Sequence, residues 1–414
     1  MMTLNPLKAG LNAYRNAIII LLFAVALFSL LLFAIGQKSF WGIWNVPAMT
    51  PHFADLRTIT GGAESYAKGL DPMVQNPGDP WGRTMNYPRI WQSLFYLDID
   101  QGDTTAFGII LIFLFLVGVA LVLPNAAAST IMLVLAAVLS PATLLGIERG
   151  NIDLLIFFLV AFSVVLVKNH LVSFSALLAA FFLKLYPIFG FVIFLRVSKG
   201  LAIQYSGFLA LILLLYAYFY HSDLALISAG TPRSTSLSYG VNVFWMQVAR
   251  FDSTMGWVAR VGSYVVVLAV IFVSFKSLLK NNRSYLDAIH ASIYLDAFRA
   301  GAGIYIGTFL LGNNWDYRLM FFILAIPQLA VWSNIDDSVV KFISRLTLAS
   351  IFLSLWYLVW NKMIGFMPYG GYLSYLIDEL ANWVAFSGLI YLLFASMPSW
   401  VSDIAQNTMN RVRR

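Results

Sequence analysis

A single carboxylate, Asp55, is the residue on which a reaction could turn. It lies in the stretch 36–106, the longest polar interruption of a strongly apolar chain, within Phe53-Ala54-Asp55-Leu56-Arg57. Tyr66-Ala67-Lys68-Gly69-Leu70-Asp71-Pro72 and Asn86-Tyr87-Pro88-Arg89 follow in the same stretch. A carboxylate at an apolar boundary is suited to general-base work, such as taking the proton of a hydroxyl while a sugar leaves a phosphate. The same residue could equally open a helix or pair with Arg57. Glu64 and Asp71 compete for the base role.

Lys184, in Lys184-Leu185-Tyr186-Pro187, is a charge inside an apolar run. Placing such a charge in a bilayer costs about 2.5–3.5 kcal/mol on insertion scales, so an anionic partner is expected. A lipid phosphate near the membrane boundary would serve; snorkelling to the interface is the other outcome. Glu148-Arg149-Gly150-Asn151-Ile152-Asp153 is a compact charged island between two apolar runs. It could orient a hydroxyl or touch a phosphate, or be a plain turn with Gly150 bending and Asn151 capping. Asn313-Asn314-Trp315-Asp316-Tyr317-Arg318 forms another polar cluster. Arg318 offers a planar fork for phosphate oxygens, with Asp316 as its alternative partner. Tyr87 and Arg89 either line a phosphate or sugar groove or belong to an interfacial aromatic belt.

Other chemistries lack their residues. The chain has no Cys, and its four His, at 52, 170, 221 and 290, show no metal-ligand spacing. No Gly-rich phosphate loop of the soluble nucleotide-binding type is present. The reading therefore has no metal and no cofactor.

These groups must be positioned by membrane helices. Of 414 residues, 60% are hydrophobic and 11% charged, against about 25% charged in soluble domains. Mean hydropathy is +0.79. The net charge of +7 fits cytoplasmic anchoring of inter-span loops rather than nucleic-acid binding. Apolar runs predict spans at 17–35, 107–123, 127–145, 152–167, 201–220, 258–275, 298–312, 318–332, 343–361 and 382–397. The run 17–35 reads as a retained span rather than a signal peptide. Lys8 and Arg15 put the N-terminus in the cytoplasm, and the loop 36–106 outside. Carried forward, that orientation would leave Arg196 and Lys199 on the wrong face. Two half-helices, 171–183 and 187–196, dipping in and returning with Lys184 at the tip, remove the conflict. A single helix kinked at Pro187 is the competing arrangement. Lys276, Lys280, Arg283, Lys341, Arg345 and the tail Arg411-Val412-Arg413-Arg414 are then cytoplasmic. Outer loops fall at 36–106, 221–257 and 362–381. The fold expected is one all-α integral-membrane domain of about 12 transmembrane segments, 1–414, in the cytoplasmic membrane of a bacterium, with its site facing the exterior.

Taken together, these residues resemble the GT-C superfamily of integral-membrane glycosyltransferases. Within it they are similar to the polyprenol-phosphate-mannose-dependent mannosyltransferases of phosphatidylinositol-mannoside assembly. The resemblance rests on Asp55, Tyr66-x-x-Gly69-x-Asp71-Pro72, Tyr87-Pro88, Arg149-Gly150-Asn151 and Lys184-Leu185-Tyr186-Pro187, and covers about residues 10–330. It implies that Asp55 is the catalytic base and that Lys184 and Tyr186 belong to the donor-phosphate region. The chain departs from the family with Met73 in place of Tyr after Asp71-Pro72, and Arg89 in place of Pro after Tyr87-Pro88. Arg89 would thus meet a different donor or acceptor, such as another hexose or arabinofuranose.

The activity expected is inverting transfer of one sugar from a polyprenyl-phosphate carrier to a glycolipid, polysaccharide or protein acceptor. Glu148, Arg149, Asn151, Asp316 and Arg318 join Lys184, Tyr186, Tyr87 and Arg89 as substrate-binding candidates. Expected partners are membrane lipid, the carrier and the acceptor, with no nucleic acid. A lipid or sugar transporter is the competing class, because broken helices and an intramembrane Lys are also transporter features. An assembly subunit with a degenerate site is the third.

Overall fold

The computed structural model describes residues 6–279 and 293–412. Lys280, Arg283, His290, Arg413 and Arg414 lie outside the described residues. The chain is mostly helical. In order, the α-helices are α1 (Pro6–Ile35), α2 (Gln37–Ile43), α3 (Ala54–Ala67), α4 (Thr104–Leu121), α5 (Ala128–Val138), α6 (Pro141–Arg149), α7 (Asp153–Val165), α8 (His170–Leu183) and α9 (Lys199–Phe219). Then come α10 (His221–Gly230), α11 (Val243–Ala249), α12 (Ser253–Leu279), α13 (Ile293–Leu311), α14 (Phe322–Trp332), α15 (Ser338–Leu355), α16 (Tyr357–Ile364), α17 (Gly370–Ala395) and α18 (Ser399–Val412). Four 3-10 segments intervene, at Arg89–Leu97, Gln101–Asp103, Tyr186–Arg196 and Asp316–Phe321. One two-residue ladder, β1 (Ser238–Tyr239) with β2 (Asn314–Trp315), is antiparallel, with Tyr239 opposite Asn314.

Six helices among the described residues are long and apolar enough to cross a membrane: the 12–35 part of α1, α4 with the residues just before it, α9, α12, α15 and α17. A seventh arises if α5 and α6, bent by 53° at Leu139–Ser140, count as one broken span. This is fewer than the twelve segments expected. Several apolar runs fold as short helices. α7 has 13 residues and α14 has 11, about 20 Å and 17 Å at 1.5 Å per residue, short of a 30 Å hydrocarbon core. The expected outer loop 362–381 is also largely helical, since α17 begins at Gly370. Its polar residues Asp378 and Glu379 broke the apolar run but are buried, and Asn382 Nδ2 donates back to Asp378 Oδ1 at 3.1 Å. The loop 221–257 likewise contains α10 and α11.

The stretch 170–196 forms two arms lying side by side. Phe174 of α8 packs on Phe191 and Phe194 of the 3-10 arm, with ring centroids at 5.0 and 5.5 Å. Asn169 caps α8, its Oδ1 accepting from the Val172 N–H at 3.4 Å. Pro187 is placed where its missing N–H costs nothing, at the start of the second arm. Lys184 and Leu185 form the tip. At the other end, Arg196 pairs with Asp296 at the start of α13, and Trp400 Nε1 donates to the Leu195 and Val197 carbonyls at 3.1 and 3.2 Å. Nearby contacts at that same end join Asn125 to Ala13 and Tyr294 to Pro124.

The 3-10 arm reaches α13 so closely because α13 presents glycine there. A Cβ on Gly303 would come within 2.5 Å of the Phe189 carbonyl, and one on Gly307 would fall inside the Phe189 ring. Small residues four apart let backbones approach in membrane bundles. Gly307→Ala should therefore lower stability by about 1–3 kcal/mol through overpacking, read as an earlier thermal unfolding transition in detergent.

Candidate functional site

The polar end of the bundle is built around the turn between α6 and α7. Ser140 caps α6, with Pro141 in its first turn. The helix stops at Gly150, which takes a left-handed φ of 57°. Two neighbouring amides return to the helix: Gly150 N donates to Ile147 at 3.0 Å and Asn151 N to Gly146 at 2.9 Å. Gly150 is also required by packing, because a Cβ would meet Phe53 at 2.8 Å. On its other side the Phe53 ring lies against Gly108, where a Cβ would meet it at 2.6 Å. Phe53 itself has φ 60° and immediately precedes α3. This glycine-lined slot fixes where α3 begins, and hence where Asp55 points.

Asn151 connects the site. Its Nδ2 donates to Asp55 Oδ2 at 2.6 Å, and its Oδ1 accepts from Lys184 Nζ at 2.9 Å. The same Oδ1 accepts from the Asp153 backbone N–H at 3.0 Å. Asn151 thus caps the start of α7 through Oδ1 while also bridging Asp55 and Lys184. Lys184 Nζ is 2.6 Å from Asp153 Oδ1, which also accepts from the Tyr186 hydroxyl at 2.7 Å. Arg318 Nε lies 3.5 Å from Asp153 Oδ2, and Arg318 Nη1 donates to Asn314 Oδ1 at 2.5 Å. The Arg318 guanidinium stacks on Tyr186, 4.7 Å from the ring centroid. Lys184 faces the rings of Tyr87 and Tyr317 at 5.2 and 5.6 Å. Asp153 is fully buried, and out of water its Oδ1 receives Lys184 and Tyr186 while Arg318 supplies a second positive charge near Oδ2.

These groups border a cavity of about 620 Å³. Asp55, Tyr87, Arg149, Lys184, Tyr186 and Arg318 line it, together with Arg83, Arg233 and Tyr317. Asp55 is its only acidic wall residue among the described residues. The Tyr87 phenol is held well above its ordinary value, chiefly by burial, then by the negative charges of Asp55 and Asp153 and the neighbouring Tyr317. It therefore stays neutral and can donate a hydrogen bond.

Three of the candidates read from the sequence occupy other places. Arg89 is engaged away from the cavity wall, pairing with Asp223 at 2.8 Å and Asp71 at 3.0 Å. Burial draws its proton affinity down, but hydrogen bonds and charge from Asp71 and Asp223 raise it above the ordinary value. Arg89 thus ties α10 to the first loop. Glu148 accepts from the Met49 N–H at 2.6 Å and pairs with Arg149 at 3.0 Å, a brace beneath the strap that leads to α3. Asp316 is buried outside the cavity wall, and burial pushes its carboxyl up to about 8. Of the competitors to Asp55, Glu64 pairs with Lys68 at 2.7 Å and Asp71 with Arg89.

The sequence reading did not assign Arg83, Asp153, Arg233 or Tyr317. Asp153 was visible as part of the charged island, but an acid that opens an apolar helix reads as a helix start. Arg83 sits in a Pro- and Gly-rich loop with no periodicity to place it. Among the described residues, no group of three or more His, Asp or Glu is arranged to hold a metal ion. No protein-family model matches the chain, and no curated protein matches it.

The buried pairing has a measurable cost. Asp153→Ala should destabilise by about 3–5 kcal/mol, because Lys184 is left buried and uncompensated. Adding Lys184→Met to that variant should restore part of the loss. Unfolding of the two variants in mixed micelles checks this.

Proposed function

We propose that the protein is an inverting glycosyltransferase of the GT-C type, taking its sugar from a polyprenyl-phosphate carrier. The observation that carries this reading is the bridge in which one amide, Asn151, joins Asp55 at 2.6 Å to Lys184 at 2.9 Å at one cavity wall. A carboxylate with free access to a cavity is a base. A buried ammonium beside it, backed by Arg318, is an anion site.

Charge supports the choice of anion. Among the described residues five cations border the cavity: Arg83, Arg149, Lys184, Arg233 and Arg318. Four carboxylates face them, Asp55, Asp79, Glu148 and Asp153, leaving one positive charge. A sugar phosphodiester carries one negative charge. A carrier diphosphate carries more and would be left partly uncompensated.

In this mechanism the acceptor hydroxyl attacks the anomeric carbon on the face opposite the phosphate. The new bond joins acceptor oxygen to that carbon, and the carbon–oxygen bond to phosphate breaks. The hydroxyl proton goes to Asp55, and the bonding pair leaves on the phosphate oxygen beside Lys184 and Arg318. Inversion follows from a single displacement. The site end of the bundle would face the exterior, and the opposite end, with Arg15, Arg196 and Lys199, the cytoplasm. A glycolipid, polysaccharide or protein could supply the hydroxyl.

In proteoliposomes with radiolabelled polyprenyl-phosphate hexoses and pentoses, and native membrane extract as acceptor source, the wild-type protein should transfer label. Asp55→Asn should lose about 10²–10⁴-fold in rate. Near-normal transfer by a folded Asp55→Asn protein removes the base assignment. Transbilayer movement of the carrier without transfer would favour a transporter. Lys184→Met should raise the KM for the carrier by about tenfold or more, corresponding to loss of one charge-assisted contact of roughly 1.5–3 kcal/mol.

A further inference from the structure

We infer that Arg83 is the positioning residue for Asp55, held for that task by a brace in the loop 76–83. The inference rests on the transfer reading above. Asp79 is the anchor of the brace, its side chain fully buried. Its Oδ1 accepts from Thr58 Oγ1 at 3.0 Å and from Arg83 Nη2 at 2.8 Å. Its Oδ2 accepts from Arg83 Nε at 3.2 Å and from the backbone amides of Trp81 and Arg83 at 3.0 and 2.9 Å. The guanidinium also lies over the Trp81 ring, 4.7 Å from its centroid. A fork gripped at two nitrogens and stacked on one face has a single orientation available.

That orientation sends Arg83 to the first turn of α3. Nη2 also donates to the Ala54 carbonyl, and Nη1 lies 3.7 Å from Asp55 Oδ1, within the cavity wall. Asn151 holds the other carboxylate oxygen, Oδ2. Asp55 thus sits between one hydrogen-bond donor, Asn151, and one charge neighbour, Arg83, each held by a separate element. The loop itself is tied down independently. Asn76 Nδ2 donates to the Thr58 and Arg83 carbonyls, both at 3.1 Å, and Asn76 Oδ1 accepts from Ser65 at 2.8 Å. Gly61 and Gly78 bring the loop backbone onto α3, where a Cβ on Gly61 would meet the Gly78 carbonyl carbon at 2.5 Å.

A staple serving only the fold would be complete with Asp79, Thr58 and the Ala54 carbonyl. The remaining nitrogen, aimed at Asp55 from a partly exposed side chain, is what that role leaves unexplained. Arg83 touches Asp55 rather than a substrate, so its effect should appear in turnover and not in binding.

The test is steady-state transfer by the reconstituted full-length protein, with carrier and acceptor varied separately. Wild type, Asp55→Asn, Arg83→Gln, Arg83→Lys and the double variant Arg83→Gln/Asp79→Asn are compared. Arg83→Gln should lower kcat by about 10²-fold, the scale of a small misplacement of a reacting group, with both KM values within twofold of wild type. Arg83→Lys, which keeps the charge without the fork, should recover part of the loss. The double variant should fall no further than Arg83→Gln alone, because both changes break one device. Thermal unfolding measured alongside identifies a variant that has merely lost its fold, and Arg83→Lys then decides the matter. Full kcat in Arg83→Gln overturns the inference, as does a raised KM with kcat intact, which would make Arg83 a binding residue. No transfer by wild type, or undiminished transfer by Asp55→Asn, overturns the underlying reading instead and the inference with it.

Discussion

One buried carboxylate organises this end of the molecule. Asp153 receives Lys184, Tyr186 and Arg318, which are contributed by the α8 tip, the following 3-10 arm and the segment after α13. None of these elements is long enough to find its place by spanning a membrane. The 3-10 arm and the Asp316–Phe321 segment have few ladder bonds of α-helical quality to stiffen them. Their meeting at Asp153 is therefore what sets their heights. Removing a carboxylate from water is costly, and the cost is offset only when its oxygens are filled by donors. Asp153 thus favours the assembly in which Lys184 and Tyr186 fill one oxygen and the Arg318 charge lies near the other.

The glycine slot around Phe53 performs the matching task for the first loop. A loop of this length could let α3 begin in many registers. Gly108 and Gly150 admit a ring where any side chain would collide, and the ring fixes the residue two positions before Asp55. Close approach of backbone to an aromatic ring, together with the Phe53 N–H donated to the Glu148 carbonyl at 3.2 Å, thus positions the start of α3. Packing places Asp55 from behind, and Asn151 and Arg83 orient it from the front.

Some of this was legible in the sequence. Lys184 stood out because a charge in an apolar run needs a reason, and the reason is Asp153. Asn151 was legible because a polar island bounded by apolar runs lies at helix ends, where backbone polarity must be met; Asp55 was singled out as a carboxylate of the longest polar stretch. The membrane class followed from composition alone. What was not legible depended on three-dimensional convergence. Arg89 and Arg318 have the same chemistry and similar flanking aromatics, yet one is engaged by Asp71 and Asp223 and the other lines the cavity. Little local in the chain separates them, because Asp223, which engages Arg89, and Asp153, beside Arg318, lie 134 and 165 positions away, and Asp71 alone is near. Among the described residues six helices, or seven with the bent pair, are long and apolar enough to cross a membrane, against about twelve segments read from hydropathy. Runs such as 152–167 and 318–332 fold as short helices whose residues are largely buried in the protein. Hydropathy cannot distinguish a protein interior from lipid.

The order of charges along the site bears on how the chemistry could proceed at low cost. From the loop 76–83 inward the groups alternate: Arg83, Asp55, the neutral Asn151, Lys184, Asp153, Arg318. On the proposed reading, transfer neutralises Asp55 and adds a negative charge to the departing phosphate. Net charge within the cavity is unchanged, and only its location moves, from the Arg83 side of Asn151 to the Lys184 side. A cation already waits at each position. Asn151, an amide with a donor toward one side and an acceptor toward the other, keeps its hydrogen bonds in both states. The side chains need not rearrange as the charge shifts, which is the condition under which fixed dipoles and charges stabilise a transition state better than water does.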